Sequence, residues 1–317
     1  CYPCGYETCR VVPKLMKDLL LFDADSPRYA AGFATQQTLY SVRDSKTEYK
    51  KKSECKAAIK AEGLPEDTEI TSRVIPEELS HCLQVLKDML QAPLDLIPHN
   101  QHRILVTKGT NFRHDLATIK EYKAGRSAKP FYHAEMVEYM DTYWDAICLP
   151  NLEADDLVGM WHTQDSTCVG IDKDLLTVPG LHYNYKKKEY LEVTELDALR
   201  YFYTQLLEGD GADNIKGLPA CSSESIKKYG LPGAAINGCG KLSAAKVLQG
   251  ADSEAEMFQR VRDCWLSYNK QANILIKGYK DICEQDTDKD ILETGRLLHL
   301  TRELTEDGSP VLWEFPS

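Results

Sequence analysis

Hydrophobic residues recur along this chain in two rhythms. Leu19, Leu20, Leu21 and Phe22 form an unbroken apolar run that ends at Asp23. A run of that length predicts a strand buried on both faces, as in a parallel sheet, here over Lys17–Asp23. Arg103–Val106 repeats the pattern, and shorter strands are predicted at Ala146–Leu149, Thr167–Ile171 and Leu181–Tyr185. Between them the spacing is helical. Leu79, Leu83, Leu86 and Leu90 follow Pro76 at intervals of three and four, and helices are also predicted over Tyr29–Val42, Phe131–Trp144 and Glu153–His162. Arg43 to Arg73 is polar and lysine-rich and shows no core; beyond Thr194 nearly everything reads as helix and loop. Strands alternating with helices predict an α/β fold with a mostly parallel central sheet flanked by helices, followed by a helical C-terminal region.

Composition narrows this picture. A chain of 317 residues with 43% hydrophobic side chains can bury a substantial core in one large or two closely packed domains. No apolar run approaches membrane-spanning length. The eleven cysteines are scattered among charged segments and read as reduced thiols of a cytoplasmic protein. Cys1, Cys4 and Cys9 offer three ligands of a zinc site but no fourth at finger-like spacing, so residues 1–15 are taken as a leader without a catalytic role. The net charge of −11 argues against a polyanionic partner unless many carboxylates hold cations, which reverse the local sign.

The carboxylates are placed as if they do. Asp23 with Asp25, Glu153 with Asp155 and Asp156, Asp172 with Asp174, and Asp210 with Asp213 each follow or open an apolar run. Two carboxylates about 4 Å apart repel by roughly 4 kcal/mol at an effective dielectric of about 20. Hard divalent cations such as Mg²⁺ take oxygen ligands and remove that cost. Asp23 and Asp172 directly follow strands, which points both to the C-terminal edge of a parallel sheet. Asp172 and Asp174 would face the same way on extended chain, Glu153 and Asp156 share a helix face, and so would Asp210 and Asp213 on a helix. Metal-dependent phosphoryl transfer is the chemistry this pattern suits.

Each cluster also has an ordinary explanation. Asn151 is placed to cap a helix whose first turn favours acids, Asp172–Asp174 suits a strand-end turn, and Gly209–Asn214 suits a loop. Lys108 to Pro130 carries Lys108, Arg113, Lys120, Lys123, Arg126 and Lys129 against Asp115 and Glu121, with Phe112 and Tyr122 interleaved. That stretch is either a solvated basic loop or a nucleic-acid contact in which an aromatic stacks an unpaired base. Gly238 and Gly240 before a helix form a plain turn or a backbone cradle for phosphate. Lys50–Lys52 and Lys186–Lys188 read as solvated faces.

Taken together, the blocks resemble a known family. Leu21-Phe-Asp-Ala-Asp-Ser, Glu153-Ala-Asp-Asp-Leu-Val-Gly, Asp172-Lys-Asp-Leu-Leu and Gly209-Asp-Gly-Ala-Asp-Asn-Ile-Lys-Gly are similar to the signature blocks of the 5′-nuclease (flap endonuclease) family, in order. The nearest flavour is the phage-type 5′–3′ exonuclease, also found as the nuclease domain of bacterial DNA polymerase I. Asn111-Phe-Arg-His with Glu121-Tyr-Lys-Ala-Gly-Arg resembles its T-F-R-H…Y-K-A-N-R segment, and Gly238-Cys-Gly-Lys-Leu-Ser-Ala its helix-hairpin-helix.

The resemblance implies a nuclease core over residues 16–200, with a basic helical arch at about 108–145, and a C-terminal region over 201–317 with a helix-hairpin-helix at about 215–250. It implies two or more Mg²⁺ ions, replaceable by Mn²⁺, held by Asp23, Glu153, Asp155, Asp156, Asp172, Asp174, Asp210 and Asp213, and K⁺ at the hairpin. Lys123 and Arg126 would be catalytic, meeting the scissile phosphate. Arg113, Tyr122, Gly238, Gly240 and Lys241 would contact DNA. The implied substrates are 5′ ends, flaps or nicks in DNA, with RNA–DNA hybrids as a further class, cut by a monomer in the cytoplasm of a bacterium or phage-infected cell.

Three features depart from the family pattern. Thr107, Lys108 and Gly109 stand where it has an aspartate; Pro219–Ala235 is inserted; and the Cys1–Leu15 leader has no counterpart. Three other readings compete, one of them an RNA-directed nuclease with a related core, which the hairpin disfavours. A family member that binds DNA without cutting it rests on Lys108. A haloacid-dehalogenase-type phosphatase would use Asp23 as nucleophile and Asp25 as acid/base, leaving the other clusters unexplained.

Overall fold

The computed structural model describes residues 17–218, 239–275 and 284–316. The leader, the Pro219–Ala235 insertion and Gly238 lie outside the described residues. The described strands are β1 (Lys17–Asp23), β2 (Gln36–Val42), β3 (Glu48–Tyr49), β4 (Ile70–Pro76), β5 (His99–Leu105), β6 (Ser166–Val169), β7 (Gly180–Asn184), β8 (Glu189–Val193), β9 (Gly209–Asp210) and β10 (Ile215–Lys216). The helices are α1 (Asp25–Ala34), α2 (Lys52–Ala61), α3 (Leu79–Leu96), α4 (Arg113–Leu116), α5 (His133–Trp144), α6 (Ala154–Trp161), α7 (Glu195–Glu208), α8 (Lys241–Leu248), α9 (Glu254–Leu275) and α10 (Glu284–Leu298). They form two compact units. One takes the described residues through Asp23, His99–Arg126 and those from Cys148 onward; the other takes Ala24–Pro98 and Ser127–Ile147.

The first unit is the predicted α/β layer. Its sheet runs β5-β1-β6-β7-β8, with the first four strands parallel and β8 antiparallel at the edge. Leu20, Leu21 and Phe22 are wholly buried at its centre, which is why their sequence shows no alternation. Phe22 pairs in register with Ile104 and Val169, so β1, β5 and β6 end level. The chain leaving them at Asp23, Thr107 and Gly170 therefore emerges from one edge. The helix α6 packs beside β1 and β5. Around Trp265, Tyr203, Leu206 and Trp313 the helices α7 to α10 build a second apolar core.

Between α7 and the described part of the C-terminal region, β9 and β10 form a tight antiparallel hairpin. Gly209 has φ 73°, and a Cβ there would lie 2.2 Å from the nitrogen of Gly217. The two glycines let the backbones touch, and a side chain at either would force them apart. The segment holding Asp210 and Asp213 is thus a hairpin and its turn, so the condition for the two to share a helix face is not met and the loop reading of Gly209–Asn214 is the nearer one.

The second unit holds a small antiparallel sheet, β3-β2-β4, covered by α2. Here the sequence expectations need two corrections. The helix predicted over Tyr29–Val42 stops at Ala34, and Gln36–Val42 pairs along its length with β4. Thr38, Tyr40 and Val42 are β-branched or aromatic at every second position and suit a strand better than a helix. Arg43–Arg73 also has a core after all: Val42, Cys55 and Ile59, packed with Tyr40, Tyr49 and Ile70. Buried residues so few and so widely spaced are too sparse for a periodicity to register. Ala146–Leu149 is irregular apart from one bridge position. Among the described residues, no helix is long and apolar enough to cross a membrane, and the described cysteines are free thiols.

Candidate active site

The site is built on the start of α6. Glu153 is the N-cap, and Asp156 closes a capping box by accepting from the Glu153 N–H at 3.0 Å. Thr107 Oγ accepts the Ala154 N–H at 2.9 Å. Where the resemblance anticipates a carboxylate, a hydroxyl therefore caps this helix. Asn151, expected as the cap, instead has φ 65° and accepts from the Phe112 N–H through its carbonyl.

Asp156 has no capacity left for a metal. Its two oxygens accept from both terminal nitrogens of Arg113 at 2.7 Å, from the Thr301 N–H at 2.9 Å and from Glu153. A carboxylate offers about four acceptor sites, and all are used. Burial would raise its pKa, but Arg113 outweighs that and holds it below the usual range. Arg113 is equally enclosed: it is 1% exposed and also donates to the carbonyls of Leu297 and His299. This corrects two expectations, since Asp156 and Arg113 form an internal pair and not a metal ligand and a DNA contact.

Within the stretch named as an arch, residues 117–132 are loop and turn between the helices α4 and α5. The loop is pinned at two points. Glu293 accepts from the Thr118 and Ile119 N–H groups at 2.7 Å, and Asp213 O accepts from the Lys123 N–H at 2.9 Å. Lys123 adopts φ 57°, uncommon for a long side chain. Its ammonium bonds Glu153 and lies 3.7 Å from Asp213, while Arg126 bonds Asp213. The Tyr122 hydroxyl sits 2.7 Å from Glu153 and 2.9 Å from Asp213, its one proton between two carboxylates. At 3% exposed, Tyr122 does not present its ring to a base; this corrects its expected stacking role.

Beyond β6, Asp172 accepts from the Asp174 N–H at 3.0 Å and Asp174 opens a short 3₁₀ turn, so the chain is not extended there. Lys173, passed over in the sequence, places its ammonium 2.8 Å from Asp210 and 3.9 Å from Asp174. A lysine between two aspartates was the signal that could have drawn attention to it. Gln205 on α7 also donates to Asp174. Asp23 lies against Gly170, where a Cβ would sit 3.7 Å from its Oδ2. Asp155, Asp174 and Asp213 line one cleft together with Arg113 and Tyr122. Asp25 belongs to the other unit, where it pairs with Arg28 at 2.6 Å.

Negative charge exceeds positive here. Arg113, Lys123, Arg126 and Lys173 contact Glu153, Asp156, Asp174, Asp210 and Asp213, while Asp155 and Asp172 add to the field. Burial and then the neighbouring Glu153 and Asp156 push Asp155 well up. Burial raises Asp172, and burial with Asp172 raises Asp174 to about 7. Asp210 goes the other way, because Lys173 overrides its burial. Among the described residues, no three Asp, Glu, His or Cys side chains are grouped to hold a metal ion. The ammoniums of Lys123 and Lys173 stand between the carboxylates instead. The donor set still fits a hard divalent cation: every candidate ligand is a carboxylate oxygen, and the excess negative charge is what such an ion neutralises.

The remaining expected contacts are exposed. Gly240 is the N-cap of α8 with open space where a Cβ would be, and Lys241 begins that helix near Glu208. No protein-family model matches the sequence, and no curated protein matches it. Among solved structures, the crystal structure of T5 D15 protein co-crystallised with metal ions aligns over 88% of this chain and 99% of its own, at 14% identity and a TM-score of 0.38.

Proposed function

We propose that this chain is a Mg²⁺-dependent nuclease that hydrolyses phosphodiesters near the 5′ ends of duplex or flapped DNA. One observation carries the reading: a surplus of carboxylates beside three lysine and arginine head groups, Lys123, Arg126 and Lys173, in the unit whose parallel strands β1 and β6 end at Asp23 and Val169. Asp23, Glu153, Asp155, Asp172, Asp174, Asp210 and Asp213 would hold the ions. When bound, such ions supply a hydroxide nucleophile at neutral pH and charge neutralisation at the phosphorus. Arg126, half exposed, is placed to exchange Asp213 for a phosphate oxygen, and its planar fork suits two oxygens at once. Lys123 offers a compact charge to the same group. Tyr122 and the Arg113–Asp156 pair hold Glu153 and the start of α6 in place and touch no substrate.

The test is cleavage of a 5′-labelled flap and a matched blunt duplex in Mg²⁺ or EDTA, beside Asp172→Ala. The expected result is metal-dependent release of short 5′ products, abolished in the variant while DNA binding persists. Wild-type protein that binds these substrates and never cuts them would overturn the assignment.

A further inference from the structure

The small sheet of the second unit carries a feature the proposed chemistry does not use. Between Lys46 and Lys60 stand Lys46, Lys50, Lys51, Lys52, Lys56 and Lys60, all exposed, against Glu48 and Glu54. Both acids are committed elsewhere. Glu48 is gripped by Arg73, with one contact at 2.8 Å, and Glu54 accepts from the Lys50 and Lys51 N–H groups at 3.1 and 3.2 Å. Among the described residues, none of the six ammonium groups is paired with a carboxylate. In a chain of net charge −11, whose Lys123 and Lys173 are both engaged by acids, this concentration of unmatched cations stands apart.

The fold also fixes its orientation. Cys55 and Ile59 anchor one face of α2 in the core with Val42, so Lys52, Lys56 and Lys60 form a stripe along one flank of the helix. Residues four apart lie about 6 Å apart along a helix axis. Lys50 and Lys51 extend the stripe past the helix N-terminus, where the backbone dipole adds positive potential. The acids Glu62, Glu66 and Asp67 come after the other end of the helix and bound it.

We infer that this lysine ridge is a binding surface for the phosphate backbone of nucleic acid, built from residues of the second unit that the proposed chemistry does not use. The inference rests on the nucleic-acid reading given above and adds a second binding surface to it. Lysines at this spacing offer point charges to successive phosphates and read no sequence. The one aromatic among them, Tyr49, packs against the core of Val42, Cys55 and Ile59, so the ridge offers charge and no stacking platform. The stripe also lacks the exposed Trp, Phe or Leu with which basic helices enter a lipid surface, which favours nucleic acid over a membrane.

The experiment compares wild type with the triple variant Lys52→Gln, Lys56→Gln, Lys60→Gln, its Lys→Arg counterpart, and the control Lys87→Gln, Lys289→Gln. All of these lysines are exposed, and each variant is checked by thermal melting. Affinity for a 5′-labelled flapped DNA duplex is measured without divalent metal across a salt series, with phosphatidylserine-containing vesicles as a second probe. The Gln triple should bind DNA roughly tenfold or more weakly at about 0.1 M salt, and its log–log salt slope should fall by about 0.9 for each phosphate it no longer neutralises. The Arg triple and the control should match wild type, and cleavage at saturating DNA should be unchanged. Unaltered affinity and slope in the Gln triple, with cleavage intact, would overturn the ridge and leave the nuclease reading standing. Loss of vesicle binding with DNA binding unchanged would replace it with a membrane surface. Ridge-dependent DNA binding by a wild type that never cuts would keep the ridge and end the nuclease reading.

Discussion

The guanidinium of Arg113 and the carboxylate of Asp156 meet through two hydrogen bonds of 2.7 Å, with both side chains shut off from solvent. Removing one partner strands the other charge in the interior, which typically costs about 3–5 kcal/mol. Arg113→Ala and Asp156→Asn should each lower stability by about that amount in urea denaturation. In a double-mutant cycle the two losses should be strongly non-additive. Additive, small losses would show that the pair is not the internal brace described here.

Lys173 occupies, with its ammonium, the space between Asp210 and Asp174. A divalent cation seeking those carboxylates must compete with it. Lys173→Met should therefore bind Mn²⁺ more tightly than wild type, by several-fold in calorimetric titration. Weaker binding would mean that the lysine organises the carboxylates and does not compete for them.

Lys123 and Arg126 are held among acids in this structure, at the point where the proposed chemistry would bring a phosphate. Lys123→Ala should slow single-turnover cleavage by roughly 10²–10³-fold, the scale of losing one preorganised electrostatic group. Its effect on DNA affinity should be much smaller. An unchanged single-turnover rate would remove Lys123 from the reaction.

His162 and His182 pack edge to face with ring centroids 5.1 Å apart. Burial drives His162 down to about 3, helped by His182, and His182 to about 4 despite its bond to the Val178 carbonyl. In the unfolded chain both titrate near 6.5, so between about pH 4 and 6.5 the unfolded state binds more protons. Their contribution is fully present above about 6.5 and is lost as pH falls through that window, by about 1.4 kcal/mol per pH unit for each histidine. Urea midpoints at about pH 7, 6 and 5 should fall more steeply for wild type than for His162→Gln, His182→Gln. Parallel curves would mean that other groups set the acid sensitivity.

Gly159 lies on α6, where a Cβ would come within 2.4 Å of the Thr301 carbonyl oxygen. Gly159→Ala must push away the stretch of chain that donates to Asp156. Backbone cannot yield as a flexible side chain does, so a loss of about 1–3 kcal/mol is expected in thermal or chemical melting. A wild-type melting profile would show that this contact has slack.

Much of the sheet was legible because its strands are buried on both faces. The Leu19–Phe22 run could satisfy only a central parallel position, and the Leu79–Leu90 spacing only a helix. The second unit was misread because its strands are half exposed and its core rests on single residues such as Val42 and Ile59, which leave no period to detect. In the site, the sequence marked acids that follow or open apolar runs but not which cation each one meets. Arg113 and Tyr122 look like DNA contacts by composition, yet Arg113 is spent on Asp156, 43 positions along the chain, and Tyr122 on Glu153 and Asp213. Side-chain pairing across such separations is set by tertiary packing, and local spacing carries no record of it.

The bond from the Thr301 N–H to Asp156 spans 145 positions of sequence, and the carbonyls of Leu297 and His299 complete the seat of Arg113. During synthesis, β1, α6 and β6 emerge from the ribosome long before those groups do. Until then Arg113 and Asp156 lack partners that the finished site gives them, and the start of α6 has no firm seat. The nuclease proposed above would thus acquire its finished site only after Thr301 is free to fold back.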